Sequence, residues 1–167
     1  MEGWRTSSLS LKISCIVLSC SLILFVVGFC TASWMNSSTP ESSYDYGLWK
    51  EVDCSFDICI VTMWSEFMTK DWYRATQALE CLALICLVLA LLIMLMYFCV
   101  PACKIRSALF GIIFFTFIAV IFIVIGVAIF GSKLHEKGFD VGWSMGLAIG
   151  GAVLAFISGI FQILELI

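Results

Sequence analysis

Residues 108–131 read ALFGIIFFTFIAVIFIVIGVAIFG, 24 positions without one charged side chain. A helix needs about 20 apolar residues to cross a hydrocarbon layer of about 30 Å, so this run is long enough to span a bilayer. Working outward, three more stretches share its character: 13–33 and 76–98 before it, and 141–163 after it. Lipid cannot satisfy free backbone groups, so each must be helical. The whole chain agrees, with 62% of its 167 residues hydrophobic, 13% charged and a mean hydropathy of +1.10; a soluble domain is roughly half apolar and a quarter charged. The expected fold class is a membrane all-α four-helix transmembrane bundle, one domain over residues 1–167. The first run is too long for a signal peptide and lacks a convincing cleavage pattern, so it is expected to stay in the mature chain.

Orientation follows from Lys and Arg close to the membrane, because positive charge stays cytosolic during insertion. Arg5 and Lys12 precede the first span, and Lys104 and Arg106 sit between the second and third. Segment 34–74 carries three cations (Lys50, Lys70, Arg74) against seven anions (Glu41, Asp45, Glu51, Asp53, Asp57, Glu66, Asp71), a formal charge of −4. This sorts both termini to the cytosol and the acidic segment, with the short loop 132–140, to the outside. In that short loop Lys133 and Lys137 are balanced by Glu136 and Asp140. The expected localisation is the plasma membrane, as a multi-pass protein.

The connections are unequal, and only the first is long enough to fold by itself. Tyr44, Tyr46, Leu48, Trp49, Val52, Phe56, Ile58, Ile60, Val61 and Trp64 are strand-prone types interrupted by Gly47 and by Ser55 and Asp57, which predicts short antiparallel strands, a small extracellular β-sheet. Of nine cysteines, only Cys54 and Cys59 lie in this exterior segment, where an oxidising compartment permits a disulfide. Four intervening residues suit a hairpin whose arms bring the two sulfurs together. Cys15, Cys20, Cys30, Cys81 and Cys86 fall in apolar spans and read as packing residues. Cys99 and Cys103 flank Pro101 at the cytosolic end of the second span, where palmitoylation and plain packing are both open.

Small residues mark possible helix contacts. Gly142, Gly146 and Gly150 repeat every four positions in the fourth span, a face that lets another helix approach closely, either within the bundle or between copies. Ser14, Ser21 and Gly28 recur every seven positions in the first span and offer a facing groove. Glu80 is the acid placed well inside a span, an expensive position and so a candidate site by default. It stands near Gln77, and the two together read as an intramembrane polar contact, structural or partner-facing, with a proton relay as the alternative.

Signs of chemistry are otherwise sparse. With His135 as the single histidine and no Cys-x-x-Cys pair, neither a His-assisted nucleophile nor a multi-His metal centre has its parts. No catalytic group, cofactor, metal, nucleic acid or small-molecule substrate is expected. Asn36-Ser37-Ser38 is a glycosylation sequon on the outer side, two residues from Trp34 at the membrane surface.

Trp34 at the exit of the first span, then Gly47-Leu48-Trp49, Cys54, Cys59 and Arg74 at the entry to the second, form an ordered set that staples a small sheet onto the bundle. Trp and Arg suit that interface, each joining an apolar body to a polar tip. This pattern resembles the claudin superfamily, the group that also holds peripheral myelin protein, the epithelial membrane proteins, the lens fibre membrane intrinsic protein and the calcium-channel gamma subunits. The resemblance covers essentially the whole chain. It implies a left-handed four-helix bundle with an exterior antiparallel sheet whose neighbouring strands the disulfide joins. The short Cys54–Cys59 spacing and the Tyr73-Arg-Ala-Thr-Gln-Ala78 stretch are closer to the myelin and epithelial branch than to classical claudins. So is the ending Leu164-Glu165-Leu166-Ile167, where no scaffold-binding tail is expected. Ser55 and Ile60 follow the cysteines where cation-selective claudins would offer an acid.

Three roles stay open. The first is adhesion or membrane organisation at cell–cell contacts, through exposed apolar loop residues (Phe56, Ile58, Phe67, Met68) acting on like or related four-span proteins in the lipid bilayer. The second is an auxiliary subunit of an ion channel or receptor, with Glu80 and the glycine face turned outward. The third is a paracellular ion pathway, which rests on loop charge alone.

Overall fold

The computed structural model describes residues 8–38, 42–55, 58–63, 66–100, 106–137 and 139–166. Four long helices carry the chain: α1 (Leu9–Cys30), α2 (Asp71–Cys99), α3 (Arg106–Lys137) and α4 (Trp143–Leu166). All four are long and apolar enough to cross a membrane. Between α1 and α2 run strands β1 (Met35–Ser38), β2 (Ser42–Tyr46), β3 (Glu51–Ser55) and β4 (Ile58–Thr62), then a 3-10 turn over Glu66–Thr69; β5 (Asp140–Val141) joins α3 to α4. The strands form one sheet in the order β4-β3-β2-β1-β5, every pair antiparallel.

The helices overrun the expected limits. With 29 residues in α2 and 32 in α3, at about 1.5 Å per residue each exceeds the hydrocarbon thickness by about 10 Å or more. Within loop 132–140, residues 132–137 are thus the last turns of α3, and Asp140 opens β5. The helix α1 starts at Ser8, whose hydroxyl accepts from Leu11 N, an ordinary N-cap.

Inside and outside of this bundle differ by side-chain size more than by polarity. The buried stripe of α1 runs Leu11, Ser14, Cys15, Leu18, Ser21, Phe25, Gly28, while Ile16 and Ile23 face outward. Between helices in lipid there is no hydrophobic drive, so close approach of small residues carries association. The groove of Ser14, Ser21 and Gly28 is the one α4 fills. A Cβ added to Gly28 would stand 2.6 Å from Ser144 O and 3.0 Å from Ala148 N, and one added to Gly151 would stand 3.1 Å from Ser21 O.

Of the two readings of the Gly142, Gly146 and Gly150 repeat, the facing stripe on α4 overturns only the one within the bundle. It runs through Ser144, Ala148, Gly151, Ala155 and Ser158. Gly146 is exposed with nothing within 4 Å of its added Cβ, and Gly150 would meet only Leu24, at 3.9 Å. Gly142 is tightly enclosed, but by the loop residue Ser33 rather than by a helix. Spacing alone could not tell the stripe at 142, 146 and 150 from the one beside it.

Candidate functional site

The sheet sits at the end of the bundle where α1 ends, α2 begins, α3 ends and α4 begins, and a few side chains fix it there. Trp34 leaves α1 fully buried: its indole Nε1 donates to Gly28 O at 2.8 Å, and its ring meets Phe130 edge-on at 5.3 Å. Its backbone N–H donates to Tyr46 O, while its carbonyl accepts from Gly142 N. Next to it, Ser33 O accepts from Ser144 N and Ser33 N donates to Ser144 Oγ at 3.1 Å. The start of α4 is therefore tied to the strand leaving α1. A Cβ on Gly142 would overlap Ser33 O.

Gly47-Leu48-Trp49 forms the β2–β3 turn, with Gly47 N donating to Lys50 O at 2.9 Å. Only glycine fits its first position, because an added Cβ would lie 2.5 Å from both Ala32 Cα and Thr31 O. Leu48 is fully buried and Trp49 packs half-exposed on Phe29 at 5.2 Å. Two side chains of α2 hold this turn: the Tyr73 hydroxyl donates to Gly47 O, and Gln77 Nε2 donates to Leu48 O at 2.6 Å. Arg74, expected at this interface, is exposed. Tyr73, Trp72 and Trp34 converge on the buried Phe130 of α3, an aromatic cluster that closes this end of the bundle. Tyr73 and Phe130 were missed, although an aromatic with a hydroxyl one residue before Arg74 was a signal.

Cys54 and Cys59 are bonded, with their Cα atoms 4.1 Å apart. They are direct partners in the β3–β4 register, and Ser55 pairs with Ile58 around residues 56–57, outside the described residues. On the neighbouring strand β2, Tyr44 and Tyr46 stack at 6.4 Å, and Tyr46 lies opposite Glu51. Burial, then the Glu51 charge beside it, pushes the Tyr46 phenol up to about 12.

Strand β4 closes one edge of the sheet, and every residue in it is exposed. Ile58 is 66% exposed, Ile60 60%, Val61 59% and the following Met63 71%. Of the apolar loop residues expected to be exposed, Ile58 is. Met68 is half-buried against the core, and Phe56 lies outside the described residues, as does the side chain of Phe67.

The remaining candidates scatter. Asn36 lies in β1 opposite Asp45 and Asp140, its amide placed to donate to Asp45 Oδ1 at 3.2 Å. Cys99 is exposed at the far end of α2; Cys103 lies outside the described residues. Glu80 points inward, fully buried, and is not joined to Gln77, one turn nearer the sheet, whose Nε2 donates to Leu48 O instead. Between α3 and α4 an apolar groove of about 540 Å³ is lined by Val124, Val127, Ala128, Ile149, Val153 and Phe156, among others.

Four membrane-spanning helices crowned by one disulfide-pinned antiparallel sheet define a claudin-like four-span membrane protein. The sequence pattern of the PMP-22/EMP/MP20/Claudin family matches residues 7–162, and the chain belongs to that family. A search of curated proteins finds none that matches significantly.

Proposed function

We propose that the chain is a non-enzymatic protein of cell–cell contacts at the plasma membrane, with its sheet outside the cell and both termini in the cytosol. It organises membranes by binding like or related four-span proteins through the sheet. The observation that carries this reading is the β4 edge: a strand without charge or proline, with Ile58, Ile60, Val61 and Met63 exposed. Among the described residues no strand pairs with the outer side of β4, and an open apolar edge offers unpaired backbone groups and side-chain surface together, a combination that soluble domains blunt and binding surfaces use. The disulfide supports the same role by fixing which β4 side chains face which way.

The test is expression in cells that do not otherwise adhere. The wild-type chain should concentrate at contacts and increase aggregation, and an Ile60→Asp chain that reaches the surface equally well should do neither. A wild-type chain with no enrichment and no aggregation would end the adhesive reading.

A second reading, an auxiliary subunit of an ion channel or receptor, is favoured by the α3–α4 groove and the exposed Gly146 beside it, features suited to lateral docking of a partner's span. Co-purification of a stoichiometric channel or receptor in mild detergent would choose this reading over the first.

A further inference from the structure

Glu80 lies on the inner face of α2 with zero exposure, and neither carboxyl oxygen has a hydrogen-bond partner among the described residues. Opposite it on α3 is Gly126, where an added Cβ would overlap the carboxyl oxygen and lie 3.1 Å from Cδ. The glycine is thus the notch that admits the acid. One turn toward the sheet, Thr76 is occupied with backbone carbonyls: its hydroxyl lies 3.1 Å from Trp72 O and 3.5 Å from Gly126 O. One turn above Gly126, Phe130 with Trp34, Trp72 and Tyr73 closes the route to water.

No countercharge is built in. There is no charged residue in α1 after Lys12, none in α3 between Arg106 and Lys133, and none in α4 before Glu165. Within α2 the charged residues besides Glu80 are Asp71 and Arg74, both exposed at the helix start. The other titratable groups of the four helices are thiols and tyrosines, among them Cys15, Cys81, Cys86 and Tyr73, and His135 in the last turns of α3. A lone carboxylate in such surroundings costs far more than a neutral carboxyl of the same shape.

We propose that Glu80 is a proton-binding site built into the α2–α3 interface: seated against Gly126 beneath the Trp34–Trp72–Tyr73–Phe130 cluster, it is carried as the neutral acid, and release of its proton to water separates the two helices. The sign follows from the geometry. The neutral form fits the closed interface, so packing is kept at lower pH and lost as pH rises. The site is independent of the adhesive reading.

Infrared spectroscopy of the full chain in lipid vesicles, grown with isotope-labelled glutamate, reads the proton directly. At neutral pH a protonated-carboxyl carbonyl band that shifts with the label is expected. It should be missing from Glu80→Gln and lost from the wild type on alkalinisation. Hydrogen exchange should report a matching loss of protection in α2 and α3, but not α1 and α4, in the wild type and not in Glu80→Gln. The proposal is overturned if the wild type shows no protonated glutamate band, which needs no variant to fold, or if Glu80→Gln removes only ionised-carboxylate bands. Equal loss of protection in both chains overturns it too.

Discussion

The two helix pairs of the bundle solve the same problem by different means. Between α1 and α4, hydroxyls bridge the helices at intervals along their length. Ser10 Oγ donates to Phe161 O at 2.9 Å, Ser14 and Ser158 bond each other at 2.9 Å, Ser21 Oγ donates to Gly151 O at 2.7 Å, and Thr31 Oγ1 bonds Ser144 Oγ at 2.8 Å. Between α2 and α3 the counterpart is a long contact from Thr76 Oγ1 to Gly126 O at 3.5 Å, with Glu80 unpartnered alongside. One pair is a polar seam with backbones close together, hydrogen-bonded along its length apart from the buried Gln162 Oε1. The other is an apolar seam holding one costly group. In lipid the first arrangement gives a fixed spacing, whereas the second leaves a place where a change of charge moves the helices.

The largest effect should come from attacking the close seam itself. Gly28→Val would press side-chain atoms into the Ser144 and Ala148 backbone, which cannot step aside, and should cost about 3 kcal/mol. Gly146→Val on the lipid face of the same pair should stay within about 0.5 kcal/mol. Thermal unfolding in mild detergent measures both, and equal effects would break the distinction between the two α4 stripes. In the other seam Gly126→Ala should cost about 2 kcal/mol, but its obstacle is the end of a side chain. In a Glu80→Ala background that cost should shrink by at least about 0.5 kcal/mol, the coupling expected of residues in contact. Additive losses would show that the notch serves something other than the carboxyl. Replacing Cys54 and Cys59 by serine should cost about 2 kcal/mol by loop-closure entropy. Hydrogen exchange should confine that loss to β3 and β4 and spare both helix pairs.

These contrasts also explain what was legible in the sequence. The four spans were plain because length and the absence of charge are local properties. Strands β2, β3 and β4 were announced by tyrosines, valines and isoleucines. By contrast β1 is Met-Asn-Ser-Ser and β5 only Asp-Val, and both are strands because neighbours supply backbone partners, which residue types do not record. The α4 stripe that packs inside the bundle went unmarked by the glycine repeat for a related reason. A glycine repeat says where a helix could be approached, while burial falls on serine and alanine positions one step around the cylinder. At the sheet the tryptophans, Gly47 and the cysteines were readable as an ordered set. Arg74 was legible as an interface residue of that set, whereas the turn is held by Tyr73, which combines a ring for the Phe130 cluster with a hydroxyl for Gly47 O.

The finest test of the polar seam is Ser14 against Ser158. Each hydroxyl lies within 2.9 Å of the other, and Ser158 Oγ also donates to Ser14 O at 2.9 Å, so the pair is mutually satisfied. Interhelical hydrogen bonds in membranes average only about 0.6 kcal/mol, since the separated helices find other partners in the same lipid. Ser14→Ala and Ser158→Ala should therefore each cost about that much, and the double variant less than their sum, because both delete the shared hydroxyl–hydroxyl contact while each alone leaves the other hydroxyl its backbone carbonyl. Gln162 Nε2 lies 3.2 Å from Ser158 Oγ and loses an acceptor only in the Ser158 variant, which should make that one slightly the worse of the two. A double variant costing the full sum would mean that the hydroxyls act separately, each through the other helix's backbone carbonyl rather than through the contact between them.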